Sequence, residues 1–187
     1  MYFTLADLIT DITQNAAESG AALVELELME GRKDTFKNEI RFIIKDNGKG
    51  MDPDEQKWAQ DPFVTEWSGS PNRKIGLGLP FLIQTTQQSG GGWEIKSEKG
   101  KGTEVSAWFD TGQKDTPPLG DILEAFRTIL LFPEPKETVI RRNREDVDGR
   151  FSYVLRKTEL EEALGGLNDS ESILLLDHYL HSIEENE

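Results

Sequence analysis

The segment Glu39-Ile40-Arg41-Phe42-Ile43-Ile44-Lys45-Asp46-Asn47-Gly48-Lys49-Gly50-Met51 constrains the chain more than any other. Ile40, Phe42 and Ile44 alternate with other side chains, so they share one face of a half-buried strand. The strand ends on a single carboxylate, Asp46. Two glycines follow, two residues apart. A carboxylate at that place can accept a hydrogen bond from an amine, and Gly48 and Gly50 let the backbone pass close to a flat ring. Met51 adds a soft apolar surface. The same residues also read as a plain Asp-Asn-Gly turn.

The surroundings of this strand read as alternating helices and strands. Residues 3–19 predict a helix, because Leu5, Leu8, Ile9, Ile12 and Ala16 recur at helical spacing and Ser19-Gly20 closes the run. Residues 22–28 alternate apolar and acidic side chains, which predicts a strand, with a turn over residues 30–34. Residues 46–78 are rich in Gly, Pro, Asp and Ser, with one short helical piece over residues 52–59. A loop of that length in a compact domain is commonly functional. A helix over residues 79–89, with Pro80 in its first turn, is followed by two strands around Lys99-Gly100-Lys101-Gly102, a hairpin by its spacing. Residues 111–118 read as a linker. Beyond it the pattern predicts a helix, a hairpin, a short helix N-capped by Thr158 and stopped by glycine, and a last amphipathic helix.

Three further pieces bear chemistry. Asp11 and Asn15 are four apart on the first helix, so their side chains leave one face. An amide beside a carboxylate suits magnesium, which takes hard oxygen ligands, few of them from protein. The pair is also compatible with an ordinary exposed helix face. Gly76-Leu77-Gly78 precedes a helix start, where free N–H groups meet phosphate, and Arg73 and Lys74 stand just before it. The Gly100-Lys101-Gly102-Thr103 stretch is a weaker signal, since it also reads as a hairpin turn carrying a hydroxyl.

In their order and spacing these pieces resemble the GHKL family of ATP-binding domains, found in gyrase B, the ninety-kilodalton heat-shock chaperone, histidine kinases and MutL. Residues 11–21 look like the family's N-box, residues 46–51 like its first glycine box, and residues 61–67 like the start of its ATP lid. Residues 76–109 are similar to the end of a histidine-kinase ATP domain. The resemblance covers roughly residues 3–110 and implies a Bergerat-type fold. That is an α/β (α+β) two-layer sandwich whose mixed, mostly antiparallel sheet is covered on one face by helices. It also implies ATP and Mg2+ as ligands. Asp46 would bind the adenine amino group, with Gly48, Gly50 and Met51 at the base pocket. Asn15 would coordinate magnesium. Lys74, Gly76, Leu77 and Gly78 would meet the phosphates, and Thr103 would support Asp46. The lid, roughly Asp61 to Ile75, is expected to move without nucleotide.

Two departures from the family pattern bear on activity. ATP-hydrolysing members usually carry Glu four residues before the magnesium Asn, and this chain has Asp11 there as its candidate catalytic base. Aspartate is one methylene shorter, and catalysis is sensitive to misplacement of about 1 Å. Histidine kinases usually carry a basic residue three after that Asn, where this chain has Glu18. The N-box therefore leans to the ATPases, while the lid and the later motifs lean to the kinases. His178 and His181, the two histidines of the chain, read as ordinary polar positions. With the N-box at the very start of the sequence, an upstream hairpin bearing a phosphoacceptor is not expected.

The expectation is a GHKL domain over residues 1–110, a linker over 111–118 and a C-terminal α+β extension over 119–187. Its expected function is a regulatory switch that hydrolyses ATP slowly or transfers phosphate to a partner protein. The alternative is a non-catalytic ATP sensor whose lid and extension control a partner. A DNA-bound clamp fits poorly. Residues 1–110 carry 12 basic and 18 acidic side chains and residues 111–187 carry 9 and 17, so neither part suits nucleic acid or an anionic membrane. No signal peptide is read at the N-terminus, and no cysteine is present, which fits a cytoplasmic protein. Oligomeric state is left open.

Overall fold

The computed structural model describes residues 4–33, 36–60, 78–145 and 149–185. The lid read over Asp61–Ile75, and Lys74, Gly76 and Leu77, lie outside the described residues. In chain order the elements are α1 (Leu5–Ala17), β1 (Leu23–Lys33), β2 (Phe36–Asp46), α2 (Pro53–Ala59), α3 (Gly78–Gln88), β3 (Gly92–Glu98), β4 (Gly102–Asp110), α4 (Ile122–Leu130), β5 (Glu137–Glu145), β6 (Arg150–Arg156), α5 (Lys157–Leu164) and α6 (Ser170–Glu185).

The strands form one mixed sheet in the order β3-β4-β2-β1-β5-β6. Neighbours are antiparallel except β1 and β5, which run parallel. Register explains the division into faces. Leu26 lies opposite Ile44 and Ile140, and Ile44 opposite Val105, so apolar side chains of four strands form one row. Phe42 and Phe109 stack in the same layer, with ring centroids 6.0 Å apart. Leu5, Leu8, Ile9 and Ile12 of α1, Leu82 of α3, Phe126 and Ile129 of α4 and Leu176 and Leu180 of α6 close over that face. The other face carries charge. Arg141 pairs with Glu25 at 2.9 Å, Asn143 donates to Glu27 at 3.0 Å, and Arg41 lies over the Trp108 ring at 5.0 Å. The result is the expected two-layer fold, a mostly antiparallel sheet with helices on one face.

The segment 119–187 supplies β5 and β6 to this same sheet, beside β1, and three helices to its covered face. The linker is tied down as well. The Pro118 and Leu119 carbonyls accept from the Leu5 and Ala6 N–H groups at 2.9 and 2.8 Å, so residues 118–119 satisfy donors that the first turn of α1 would leave open. Thr4 and Asp7 complete that start as a capping box.

Two local expectations are corrected. The turn read over residues 30–34 is strand up to Lys33, with a bulge between Gly31 and Lys33, because β5 pairs with β1 as far as Gly31 and β2 carries the pairing on to Lys33. Thr158 is not the cap of α5. The helix starts at Lys157, whose ammonium is buried against the Phe132 and Pro135 carbonyls at 2.6 and 3.2 Å, and the Thr158 hydroxyl donates to Glu137 instead. The glycine stop is Gly165, with φ +76°.

At one end of the covered face sits an ionic cluster. Arg142 of β5 is 2% exposed and its guanidinium bonds Glu30 of β1 and, at 3.4 Å, Glu184 of α6. Glu184 also accepts from the Tyr153 hydroxyl at 2.8 Å, which together with burial pushes the phenol far above its usual range. The Nη1 of Arg142 is buried without a hydrogen-bond partner among the described residues. Removing one member of a buried pair leaves the other uncompensated. Arg142→Ala is expected to destabilise the protein by about 3 kcal/mol, read as a lower denaturation midpoint in urea with an unchanged slope. Arg144→Ala, at the edge of the same cluster, should have the smaller effect.

Candidate functional site

The site runs along one side of α1 and across the end of β2. Asp11 and Asn15 leave one face of α1, one turn apart, and Ser19 follows in the turn just past the Glu18 C-cap. All three are half-buried, while Ile12 and Ala16 point into the core. Glu18 forms the C-cap of α1 and accepts from Gln14 Nε2 at 2.9 Å, so it faces away from this line.

Ser19 brings α1 to the strand end. Its hydroxyl donates to Asp46 Oδ1 at 3.1 Å, and the Gly48 N–H donates to the same oxygen at 2.8 Å. Asp46 is 6% exposed. Burial pushes its carboxyl above the ordinary aspartate value; hydrogen bonds from Gly48, Ser19 and the Thr103 backbone, and the Lys49 charge, pull the other way without cancelling it. Asn47 fixes the loop from the other side. Its Oδ1 accepts from the Ala22 and Leu23 N–H groups at 2.8 and 3.0 Å, which starts β1.

The second wall is β3 and β4. The Thr103 hydroxyl lies 2.8 Å from Ser97 Oγ. Ser97 has one proton, and it goes to the Gly102 carbonyl at 3.1 Å, so Thr103 is the donor of that pair. Ser97 Oγ accepts in addition from the Met51 N–H at 2.8 Å. The Gly50 backbone passes so close to β3 that a Cβ there would fall 2.0 Å from the Glu98 carbonyl oxygen, and its φ is +60°. A side chain at that position is excluded on both counts. At the other end of the line, a Cβ on Gly78 would fall 2.2 Å from Asp11 Oδ2 and 3.3 Å from Asn15 Nδ2. The start of α3 therefore rests against the polar side of α1.

Of the residues singled out in the sequence, two groups come together: Asp46, Gly48, Gly50, Met51 and Thr103 at the sheet end, and Asp11, Asn15 and Gly78 one to two helical turns away. Sequence reasoning missed Ser19, Ser97 and Asn47. Ser19 had a signal, since it continues the four-residue step of Asp11 and Asn15. Ser97 and Asn47 had none, because their partners are fixed by strand register and by the return of β1.

A sheet covered on one side, with a polar line on its first helix leading to a buried strand-end carboxylate, defines a Bergerat-type ATPase domain. The chain belongs to the histidine kinase-, DNA gyrase B- and HSP90-like ATPase family, which matches residues 2–113. It is similar to the sensor histidine kinase ZraS of Salmonella typhimurium, with 31% identity over 78 residues, 41% of this chain and 16% of that protein. A sensor-type protein of Shewanella frigidimarina is 36% identical over 72 residues, 38% of this chain and 11% of its own length. The chain thus spans a small part of the curated relatives it matches. Among solved structures, the N-terminal domain of a DNA repair protein superposes with a TM-score of 0.50 at 10% identity, over 92% of this chain and 59% of that one, a likeness of fold. The Aquifex aeolicus MutL ATPase domain complexed with ADP gives a TM-score of 0.48 at 18% identity, over 94% of this chain and 70% of that one.

Asp46→Asn separates seat from charge. The folded-state value of Asp46 lies above its unfolded value, so the stability linked to its protonation is present at low pH and lost as pH rises through the folded value. At neutral pH the buried carboxylate is therefore a net cost that an amide escapes. The variant is expected to melt at or above the wild-type temperature near neutral pH, with the difference narrowing in mildly acidic buffer. Paired thermal melts across that range check it.

Proposed function

We propose that the chain binds Mg-ATP and uses it as a regulatory switch, through slow hydrolysis or phosphotransfer to a partner protein. The observation that supports this most is the contact of Gly78 with Asp11 and Asn15, at the opposite end of one polar line from Asp46. A nucleotide lying along that line has its base amine at Asp46 and its phosphates at the start of α3, where the open N–H groups favour anions. Asn15 Oδ1 is a hard oxygen donor and fits magnesium, which completes its shell from phosphate and water. Bound there, the ion would offset phosphate charge. Asp11 would orient and deprotonate the attacking water.

Asp46→Asn is expected to weaken ATP binding about 10- to 100-fold, because an amide group turned toward the adenine amine leaves that amine unpaired. Calorimetry of the two proteins measures it; equal affinities would remove Asp46 from the base pocket.

Asp11 tests the chemistry. Asp11→Asn should lower phosphate release by about 100-fold, the low end for a general base, while the ATP affinity stays within about threefold. Asn15→Ala should weaken magnesium-dependent binding as well as turnover. The shorter side chain at Asp11 favours a second reading, a sensor that binds without hydrolysis. Steady-state phosphate release decides between them: ATP binding with no release above background from the wild type supports the sensor or an untested phosphoacceptor. Equal release from both proteins would place the base elsewhere.

A further inference from the structure

The outer side of α6 is apolar and faces solvent. Leu174 is 54% exposed, Leu175 46% and Tyr179 42%, and they are three of the four large apolar side chains most exposed among the described residues. Leu175 and Tyr179 stand one turn apart, and Leu174 and His178 one turn apart beside them, so the group forms a patch two turns long. Its opposite side, Leu176 and Leu180, is buried in the core. Among the described residues, packing explains one side of this helix and leaves the other exposed. The fourth exposed apolar side chain, Val154, pairs with Arg141 in register and lies on the charged side of the sheet, away from α6.

The charge around the patch has one sign. Residues 158–187 hold nine Asp and Glu and no Lys or Arg. That is −9 of the chain's −14, in 30 residues. Some of it is answered from other elements: Arg127 reaches Asp177 at 3.3 Å, Arg142 and Arg144 reach Glu184 at 3.4 and 3.6 Å, and Arg156 reaches Glu159 at 3.7 Å. Glu171, one turn before Leu175 on the exposed side, and Glu162 of α5 make no ion pair among the described residues. An apolar patch that starts beside Glu171, on a segment with no Lys or Arg, selects its occupant by charge. A second copy would set this acidic surface against itself, and an anionic lipid surface would be repelled in the same way.

We propose that the outer side of α6 docks a basic amphipathic helix of a partner protein. Leu174, Leu175 and Tyr179 receive its apolar side chains at helical spacing, and Glu171 meets its Lys and Arg. This surface stands apart from the nucleotide site, and its test uses no nucleotide.

The probe is a fluorescein-labelled synthetic peptide of leucine and lysine, about 18 residues or five turns long, with leucines at helical spacing. A scrambled peptide of the same composition has the same charge and no apolar side. Anisotropy titrations use the full chain at physiological ionic strength. The amphipathic peptide is expected to bind the wild type at least about tenfold more tightly than the scrambled one. The double variant Leu174→Ser/Leu175→Ser should erase that difference, and Glu171→Lys should weaken binding of the amphipathic peptide. Both leucines face solvent, so the double variant should keep its thermal midpoint, which circular dichroism verifies on the same samples. Equal binding of the two peptides, or indifference to the double variant, overturns the proposal. Sedimentation of the wild type as a dimer that the double variant dissolves also overturns it, and assigns the patch to a second copy.

Discussion

Burying the Asp46 carboxylate at the end of β2 is the constraint around which the site is arranged. A carboxylate that is 6% exposed needs donors, and the loop supplies them from three directions: Gly48 from the loop itself, Ser19 from the end of α1 and the Thr103 backbone from β4. Each donor fixes one element against another. Ser19 sets the axial position of α1, and Thr103 sets the register of β4 on β2. The glycines follow from the same crowding. A Cβ at Gly48 would fall 1.9 Å from Ser19 Oγ, so the residue after Asn47 cannot carry a side chain while Ser19 holds the carboxylate. Desolvation still exceeds what these bonds return, leaving a group whose exposed edge gains from a further donor. That gain is the physical basis for assigning it to a ligand amine.

The C-terminal segment is joined to this frame through β1, whose two neighbours have different origins. β2 pairs with it as the other arm of a hairpin, and β5 pairs in parallel after α4 crosses the covered face. Parallel strands need such a crossover, and here its helix serves a second purpose. Phe126, Ile129 and Leu130 of α4 fill the core over β1 and β5, while α1 packs against its flank. The Arg142 cluster then locks the far end, with one guanidinium joining β5 to β1 and to α6.

How far the sequence disclosed all this depended on the range of the interactions. α1, α3, β2 and the β3–β4 hairpin were legible because their period and punctuation are local. The short helix at Pro53–Ala59 was legible from Asp52, Pro53 and Glu55, a complete capping box in four residues. The end of β1 was not, because Gly31-Arg32-Lys33 has the composition of a turn and becomes strand only through pairing with its neighbours, β5 as far as Gly31 and β2 as far as Lys33. Nor was the start of α5, where Arg156 has no capping side chain and Lys157, the first helical residue, is held by two carbonyls far away in sequence. At the site, the motifs exposed Asp11, Asn15, Asp46 and the glycines, since each sits in a short signature. Ser97 and Asn47 act through register alone. The acidic surplus of residues 111–187 was plain in the composition, but its coincidence with an unburied helix side needed the fold.

α1 is the element on which these pieces converge. Its first turn is satisfied by Pro118 and Leu119 carbonyls, and Gly120 lies against Thr4 so closely that a Cβ would fall 2.5 Å from the threonine Cβ. Its middle carries Asp11 and Asn15, and its end carries the Ser19 bond to Asp46. A shift of α1 along its axis would break the contacts at both ends at once, so the helix has little freedom to slide. Along its length the helix packs on α4. α4 in turn meets α6 through the Arg127–Asp177 pair at 3.3 Å. α1 and α6 therefore both rest on α4. Two packed helix pairs and one ion pair separate the proposed nucleotide site from the proposed docking surface.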